Sequence, residues 1–347
     1  MKLLYLPNET ALDNKRTQIG PRKAFQALID QGELSGLEIF SFLYEAKQNQ
    51  ENYADTRQKI LALAQSFQPD IIFWQHIDYF EITDDFIRQL LAIDSKPKLV
   101  YHEADPYGRY IKRINDNMRV MFRHADAVFM VGLGLFADLA REAGARRVYF
   151  APHNFETVRS GSPWEPTLQR EYDLVMIANA LGYVKVPGRF FPGSQRRREL
   201  GKKLSERFGK RFALYGKGWD GLEASRGMLP FDQQEQAIRS AWLSINWDHF
   251  DQVPFYFSNR LPISLAAGVV HVTSWHPGYE QVFRDCPGGL FTAKTVDEAV
   301  ELAQYLLSQP RAFLIEEGQK GRAFVFSHLE ANIVYGNIIK IVKNDLF

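Results

Sequence analysis

Short apolar runs of β-forming residues alternate with longer helix-like stretches along most of this 347-residue chain. In the first half, the strand-like runs are residues 2–6, 37–42, 70–74, 98–101, 127–131 and 147–151. In the second half, they are residues 172–177, 212–215, 243–247, 269–273 and 289–292. Strands that are separated by helices pair in parallel, so this pattern predicts an α/β fold with doubly wound parallel sheets.

The length of the chain suits two α/β domains of ordinary size. Residues 156–171 are rich in Pro, Ser and Gly, which is typical of a connection between domains. We therefore predict an N-terminal domain over residues 1–155, a linker over 156–171 and a C-terminal domain over 172–327.

Composition excludes several classes of protein. The net charge of +1 argues against a general nucleic-acid binder, which needs a basic excess. Cys286 is the only cysteine, so no intrachain disulfide can form. The apolar run at the N-terminus stops at Pro7, and no window approaches the ~20 apolar residues of a membrane span. We expect a soluble, cytoplasmic protein with no nucleic-acid partner, although peripheral membrane contact remains open.

Residues 257–283 combine a helix, a buried strand and a second helix start. Asn259 and Arg260 stand at the start of the first helix, and Gly268 ends it because glycine adopts the left-handed conformation without strain. A turn through Gly278 leads to a helix start at Glu280. A helix start beside a strand end is suited to binding anions and other ligands.

The pattern Asn259-Arg260, Leu265-Ala266, Gly268 and then Gly278-x-Glu280-x-x-Phe283 resembles the donor site of CgeB-like glycosyltransferases. The segment 215–219, YGKGW, and the tail around Gly321-Arg322 and His328 fit the same family. The resemblance implies a GT-B fold, with two Rossmann-like domains facing a cleft and a last helix, 328–347, that packs back on the N-terminal domain. It also implies a nucleotide-sugar donor bound by the C-terminal domain, and relationship to the retaining family 4.

The resemblance places the donor diphosphate beside the loop that follows residues 172–177. A diphosphate needs cationic side chains, and residues 185–226 hold twelve basic residues against four acidic ones. Within this run, Arg196, Arg197, Lys203 and Arg207 fall at helical spacing and fit a solvated helix face. Trp219, flanked by Gly216 and Gly218, could contact a nucleobase or fill the core. The predicted donor-binding residues are Lys185, Arg189, Arg196, Gly216, Lys217, Trp219, Asn259, Arg260, Ser264 and Glu280.

The family pattern is broken at one position. The glutamate that binds the donor ribose in related enzymes lies five residues before the glycine, where this chain has Ile263. An isoleucine accepts no hydrogen bond, so another residue must replace it; the candidates are Asp248, Asp251, Asn259 and Ser264. Glu280 could contact the sugar or the ribose, or only favour the helix dipole.

Polar residues follow two strands of the N-terminal domain, His76 and Asp78 after one, and His102, Glu103 and Asp105 after the next. Parallel sheets bind ligands at the carboxyl ends of their strands. A general base must be a His or a carboxylate, and we predict Asp105 first and His102 second. Asp105 could instead cap a turn before Pro106, ahead of a helix predicted over 110–124. Gly20, His76 and Asp78 are predicted on the acceptor side.

We therefore expect a glycosyltransferase that moves a sugar from a nucleotide-sugar to a glycan, lipid-linked or protein acceptor. No His, Cys and carboxylate cluster has metal-ligand spacing, so we predict that the reaction needs neither a metal nor a cofactor. Two alternatives within the fold are a sugar-nucleotide epimerase and a non-catalytic binding or scaffold subunit. A Rossmann-type oxidoreductase is disfavoured because no G-x-G-x-x-G follows the first strand.

Overall fold

The computed structural model describes residues 1–13, 17–77, 79–166, 169–180 and 191–347. The chain divides into two compact units. The first unit is Met1–Pro152 together with Ala331–Phe347, and the second unit is His153–Glu330.

The first unit contains a parallel sheet of six strands in the order β2-β1-β3-β4-β5-β6. The strands are β1 Lys2–Leu6, β2 Gly36–Ile39, β3 Ile71–Gln75, β4 Lys98–Glu103, β5 Ala127–Met130 and β6 Val148–Phe150. The helices between them are α1 Ile19–Asp30, α2 Phe42–Gln48, α3 Tyr53–Phe67, α4 Asp84–Leu91, α5 Asp116–His124 and α6 Leu135–Glu142. The strand order changes direction at β1, so ligands are expected outside the carboxyl ends of β1 and β3.

Helix α5 is shorter than the sequence predicted. It begins at Asp116 and not near residue 110, because the side chain of Asn115 accepts a hydrogen bond from the backbone N–H of Met118 at 2.8 Å. This bond caps the helix, since it satisfies one of the first N–H groups that have no partner within the helix. The segment before the cap is irregular, and it leaves the side chain of Tyr110 79% exposed.

The second unit contains a second parallel sheet, in the order β12-β11-β10-β7-β8-β9. Its strands are β7 Tyr172–Ile177, β8 Phe212–Tyr215, β9 Ser225–Gly227, β10 Ala241–Ile245, β11 Val270–Ser274 and β12 Leu290–Ala293. Its helices are α7 Thr157–Ser160, α8 Ser194–Phe208, α9 Gln234–Arg239, α10 Arg260–Ala266, α11 Tyr279–Val282, α12 Val296–Ser308 and α13 Arg311–His328. The order reverses between β7 and β10, as in dinucleotide-binding sheets, so the carboxyl ends of these two strands border a crevice.

The last helix, α14 Ala331–Leu346, packs on α1 and completes the first unit. Tyr335 joins an aromatic cluster with Phe25 and Phe73, at ring-centroid distances of 5.5 and 6.0 Å. These rings are fully buried and meet edge to face, a geometry that contributes beyond the burial of area alone. The predicted return of the last helix to the N-terminal sheet is confirmed. No helix among the described ranges is long and apolar enough to cross a bilayer.

His271 lies in β11 and is buried, and its Nδ1 lies 3.1 Å from Ser244 Oγ. Within the described part of the chain, its Nε2 has no hydrogen-bond partner. Burial lowers the pKa of His271 to about 4, because a charged imidazole cannot be solvated there.

This histidine should make the fold sensitive to acid. The pKa of His271 is lower in the folded than in the unfolded chain. Its contribution to the free energy of unfolding is therefore fully present above about pH 6.5 and is lost progressively as the pH falls towards 4. The loss at pH 5 is about 2 kcal/mol. The free energy of unfolding should be measured by urea titration at pH 7 and at pH 5. Between these two pH values, the His271→Gln variant should lose about 2 kcal/mol less than the parent chain. Equal losses in the two chains would contradict the assignment.

Candidate functional site

Arg197 lies at the crevice between β7 and β10, in the first turn of α8. Its side chain is buried and donates from Nε to the carbonyl of Trp247, and from Nη1 to the carbonyl of Asn179 at 3.3 Å. Nη1 also lies 2.8 Å from Nε2 of His249. Asn179 follows β7, whereas Trp247 and His249 follow β10. One guanidinium therefore ties together both loops that border the crevice.

The start of α8 comes unusually close to the loop after β10. A Cβ at Gly193 would lie 1.9 Å from the backbone oxygen of Asp248, which no side chain could tolerate. Glycine at the N-cap of α8 is therefore what allows the helix to begin at the crevice. The N-terminal end of a helix carries a partial positive charge, which adds to that of Arg197.

Arg260 is the first residue of α10, and its Nε donates to the carbonyl of Ile177 at the end of β7. Burial and the neighbouring charge of Arg260 lower the pKa of Arg197 to about 9, and burial also lowers the pKa of Arg260. Both guanidiniums still carry their charge at neutral pH. Burial and these two arginines lower the pKa of His249 to about 3, so His249 is neutral and accepts from Arg197.

Asp248 balances part of this charge but is held within a buried network. Its carboxylate accepts from Asn246 Nδ2 at 2.7 Å and from the backbone N–H of Ser258 at 3.3 Å, and it lies 3.4 Å from Nε2 of His276. Burial alone would raise the pKa of Asp248, but its hydrogen bond and electrostatic interaction with His276, together with the charge of Arg197, lower it. This carboxylate fixes the loop between β10 and α10.

The loop after β8 packs against the loop after β7. Gly216 has φ of 132°, and a Cβ there would lie 2.1 Å from the backbone oxygen of Ala178. The backbone N–H of Lys217 donates to Asn179 Oδ1 at 2.9 Å, and its side chain is exposed. Trp219 donates from Nε1 to the carbonyl of Ala178 at 2.6 Å, and its ring is buried in the core. In this loop, the side chain of Lys217 is therefore accessible to a ligand, whereas that of Trp219 is not.

The other predicted donor residues are placed as follows. Arg196 pairs with Asp251 at 2.6 Å. Ser264 is buried, and its Oγ lies 2.8 Å from Oγ of Ser244. Asn259 is the N-cap of α10 and makes no side-chain capping hydrogen bond. Glu280 is exposed in the first turn of α11, with no ion pair or hydrogen bond to another described residue. Lys185 and Arg189 lie outside the described residues.

The first unit has a histidine–carboxylate pair at the carboxyl end of its sheet. His76 follows β3, and its Nδ1 lies 2.6 Å from Oε1 of Glu103, the fully buried last residue of β4. Glu103 also accepts from Tyr101 Oη at 2.5 Å and from the backbone N–H of Asp105 at 3.0 Å. With the ring proton on Nδ1, His76 would donate to Glu103, and the lone pair of the ring would lie on Nε2.

The backbone at His76 is strained, with φ of 36° in the left-handed region. Asn8 Nδ2 donates to the carbonyl of His76 at 2.6 Å, and the N–H of His76 donates to the carbonyl of His102 at 2.8 Å. These bonds hold the imidazole against Glu103.

The two predicted bases, His102 and Asp105, precede and follow Glu103 in the sequence. His102 is buried between the rings of Phe73 and Tyr335, at centroid distances of 6.1 and 5.8 Å. Asp105 is half-exposed and pairs with Lys112. Gly20 is buried in the first turn of α1, and Asp78 lies outside the described residues.

Sequence reasoning missed the role of Arg197, which is buried and does not lie on the solvated helix face where it was expected. The signal that could have found it was its place in the first turn of the helix that follows the first strand of the unit, where such sheets bind phosphates. The described residues contain no group of three or more His, Cys, Asp or Glu that could hold a metal ion.

Comparisons with known proteins agree with this architecture. Residues 196–334, less than half of the chain, match the model of a family described as Glycosyl transferase-like. No curated protein matches the chain in sequence.

Solved structures match the chain over almost its full length. Sucrose-phosphate synthase from Thermosynechococcus elongatus has a TM-score of 0.66 at 11% identity, covering 99% of both chains. HepE from Anabaena, in complex with UDP and glucose, has a TM-score of 0.62 at 12% identity, covering 99% of this chain and 100% of HepE. A T4 phage BGT mutant in complex with UDP-glucose has a TM-score of 0.56 at 12% identity, covering 98% and 99% of the two chains. The predicted GT-B fold is therefore confirmed, and residues 196–334 are similar to the glycosyl transferase-like family.

Proposed function

We propose that this protein is a glycosyltransferase of the CgeB-like type, which transfers a sugar from a nucleotide-sugar donor to a glycan, lipid-linked or protein acceptor. The observation that carries the proposal is the pair of guanidiniums, Arg197 and Arg260, at the crevice of the second sheet. Of the structural neighbours, HepE and the T4 phage BGT mutant were solved with UDP or UDP-glucose, so a UDP-sugar is the first donor to test.

The two guanidiniums suit a diphosphate because they combine charge with forked N–H groups. Their attraction for a phosphate is stronger at a partly buried site than it would be in bulk water. When the bond from the anomeric carbon to the diphosphate breaks, the leaving oxygen takes the electron pair. Two fixed positive charges would stabilise that oxygen, and we propose that they do so without a metal.

For the ribose and the sugar, we propose Asn259 and Glu280. Ile263 is buried, and three of its four candidate replacements, Asp248, Asp251 and Ser264, already form buried hydrogen bonds. Asn259 is the fourth and is partly exposed. The other predicted donor residues remain predictions, namely Lys185, Arg189, Arg196, Gly216, Lys217, Trp219 and Ser264.

We assign the acceptor to the first unit and propose His76 as the general base. Its Nε2 would take the proton of the acceptor hydroxyl while that oxygen bonds to the anomeric carbon, and Glu103 would stabilise the imidazolium that forms. Asp105 and His102 remain the alternatives that the sequence predicted.

Calorimetric titration with UDP, GDP, CDP and dTDP in the presence of EDTA tests the donor site. One nucleotide should bind in the micromolar range, and Arg260→Ala should weaken it by about 1.5–3 kcal/mol, or about ten- to hundredfold. Arg141→Ala is the control, because Arg141 is exposed and pairs only with Asp138 among the described residues. If no nucleotide binds, the donor site as proposed is wrong.

The buried Ile263 favours a second candidate, a binding or scaffold subunit that retains the fold without transfer. Such a subunit would bind a nucleotide weakly or not at all and would release no UDP from UDP-glucose with any acceptor. An epimerase would instead convert the nucleotide-sugar without an acceptor, and chromatography of the donor after incubation would detect that product.

A further inference from the structure

A cationic cavity lies in the second unit, at the opposite end of the strands from the proposed donor site. It has a volume of about 340 Å³ and forms where β7 begins, α8 and α12 end, and α13 begins. Asp173, Arg207, Arg211 and Arg311 line it together with the apolar side chains of Phe208 and Leu307. A cavity of this size lies within the range that binds small molecules.

The charges in this cavity are unbalanced. Asp173 Oδ2 lies 2.5 Å from Nη1 of Arg211, and its Oδ1 lies 3.6 Å from Nη2 of Arg311. One carboxylate is therefore shared by two guanidiniums. Arg207 faces the amide of Gln304, which is neutral. Three guanidiniums and one carboxylate leave two positive charges around the cavity.

Arg311 is held in place by more than its ion pair. Its guanidinium lies 4.7 Å from the ring centroid of Trp242, and that of Arg170 lies 4.6 Å from the same ring. Burial, and to a smaller extent the charges of Arg239 and Arg311, lower the pKa of Arg170 to about 10. A guanidinium stacked on an aromatic ring loses less side-chain entropy when it binds a ligand.

Helix electrostatics explains only part of this arrangement. Arg207 lies in the last turn of α8, where a cation interacts favourably with the helix dipole. Arg311 is the first residue of the 18-residue helix α13, where the dipole disfavours a cation. Arg211 precedes β8 and is exposed. Arg311 therefore stands where an anion would relieve an unfavourable charge, and Arg211 pairs with the same carboxylate, that of Asp173.

We propose that this cavity binds the phosphoryl group of a small phosphate ester. A phosphate monoester carries a charge near −2 at neutral pH, which matches the excess, whereas a carboxylate would neutralise only half of it. The forked N–H groups of Arg211 and Arg311 suit phosphate oxygens. Phe208 and Leu307 offer an apolar surface to the carbon attached to the ester oxygen. The site lies at the amino ends of the strands, so it is separate from the diphosphate site at their carboxyl ends.

The test is calorimetric titration of the full chain carrying Arg260→Ala, which weakens the donor site, with inorganic phosphate and with phenyl phosphate. Both should bind, with phenyl phosphate the tighter ligand. Adding Arg211→Gln and Arg311→Gln should weaken binding by at least about tenfold, whereas adding Arg141→Gln should not. Asp173→Asn should strengthen binding, because it removes the competing carboxylate.

Two further experiments identify the source of the phosphoryl group and distinguish binding at this cavity from binding at the proposed donor site. Vesicles that contain phosphatidic acid should bind less than soluble esters; binding to vesicles alone, lost in the double variant, would assign the same site to a lipid headgroup. In the chain with Arg260 intact, Arg211→Gln with Arg311→Gln should leave UDP binding unchanged. No phosphate binding, or equal binding in the double variant, would overturn the proposal whether or not UDP binds.

Discussion

Replacing His76 by alanine is expected to lower acceptor-dependent turnover by about 10²–10⁴-fold, the usual contribution of a general base. The affinity for the nucleotide should change little, because His76 belongs to the first unit and the proposed diphosphate contacts belong to the second. The measurement is UDP release from UDP-glucose with a panel of glycan acceptors, alongside calorimetric titration of UDP. A change in turnover without a change in UDP affinity separates a role in acceptor chemistry from general damage to the fold.

Glu103→Gln should also lower turnover. A neutral amide cannot stabilise the imidazolium as a carboxylate does, and it can favour the wrong tautomer of His76. Tyr101→Phe should have a smaller effect, because it removes only one of the hydrogen bonds to Glu103. Thermal unfolding of each variant guards against a loss of activity through unfolding, since Glu103 is fully buried.

Asp105→Asn is the decisive comparison, because the sequence favours Asp105 as the base. Its carboxylate pairs with Lys112, and its backbone N–H, which the substitution keeps, bonds to Glu103. If His76 is the base, Asp105→Asn should lower turnover by less than about tenfold. A large loss in Asp105→Asn with near-normal turnover in His76→Ala would return the role to Asp105.

The contact between His76 and Glu103 could not be predicted from the sequence alone. Both residues were identified as polar groups at strand ends, because strand ends follow from local patterns of apolar residues. Their contact depends on the register between β3 and β4, in which Gln75 lies beside His102. A shift of one residue would separate the two side chains, and a single sequence does not contain the register of parallel strands.

Arg197 illustrates a second limit. Arg196, Arg197 and Arg198 are consecutive, and helical periodicity separates them by about 100° without telling which one points inward. The choice is made by acceptors about fifty positions away, the carbonyl of Trp247 and the ring of His249. By contrast, Arg260 was identified because its neighbours in sequence formed a family pattern. Local patterns therefore predicted the fold and placed Arg260 among the candidate residues. The burial of Arg197 at the crevice depends on long-range packing, which local patterns do not contain.

Replacing Gly268 by alanine should destabilise the second unit by about 3 kcal/mol. One part of this cost follows from the local sequence pattern, and the other part follows from long-range packing. Its left-handed conformation after α10 was predicted and is confirmed, with φ of 72°. An alanine there costs about 1–2 kcal/mol in backbone strain. The sequence did not indicate that Trp164, from the predicted linker, packs on this glycine. A Cβ at residue 268 would lie 1.6 Å from Cζ3 of Trp164, which adds an overpacking cost of about 1–3 kcal/mol.

Two other glycines separate these contributions in urea unfolding experiments. Gly221 has φ of 82°, and no atom lies within 4 Å of the position that an added methyl group would take, so Gly221→Ala should show the backbone strain alone. Gly336 lies within α14 with similar open space, so Gly336→Ala should be neutral or stabilising by up to about 1 kcal/mol. The expected order of stability is Gly336→Ala, then Gly221→Ala, then Gly268→Ala. If Gly268→Ala costs no more than Gly221→Ala, the ring of Trp164 moves aside easily, and the segment before β7 contributes little to the packing of α10.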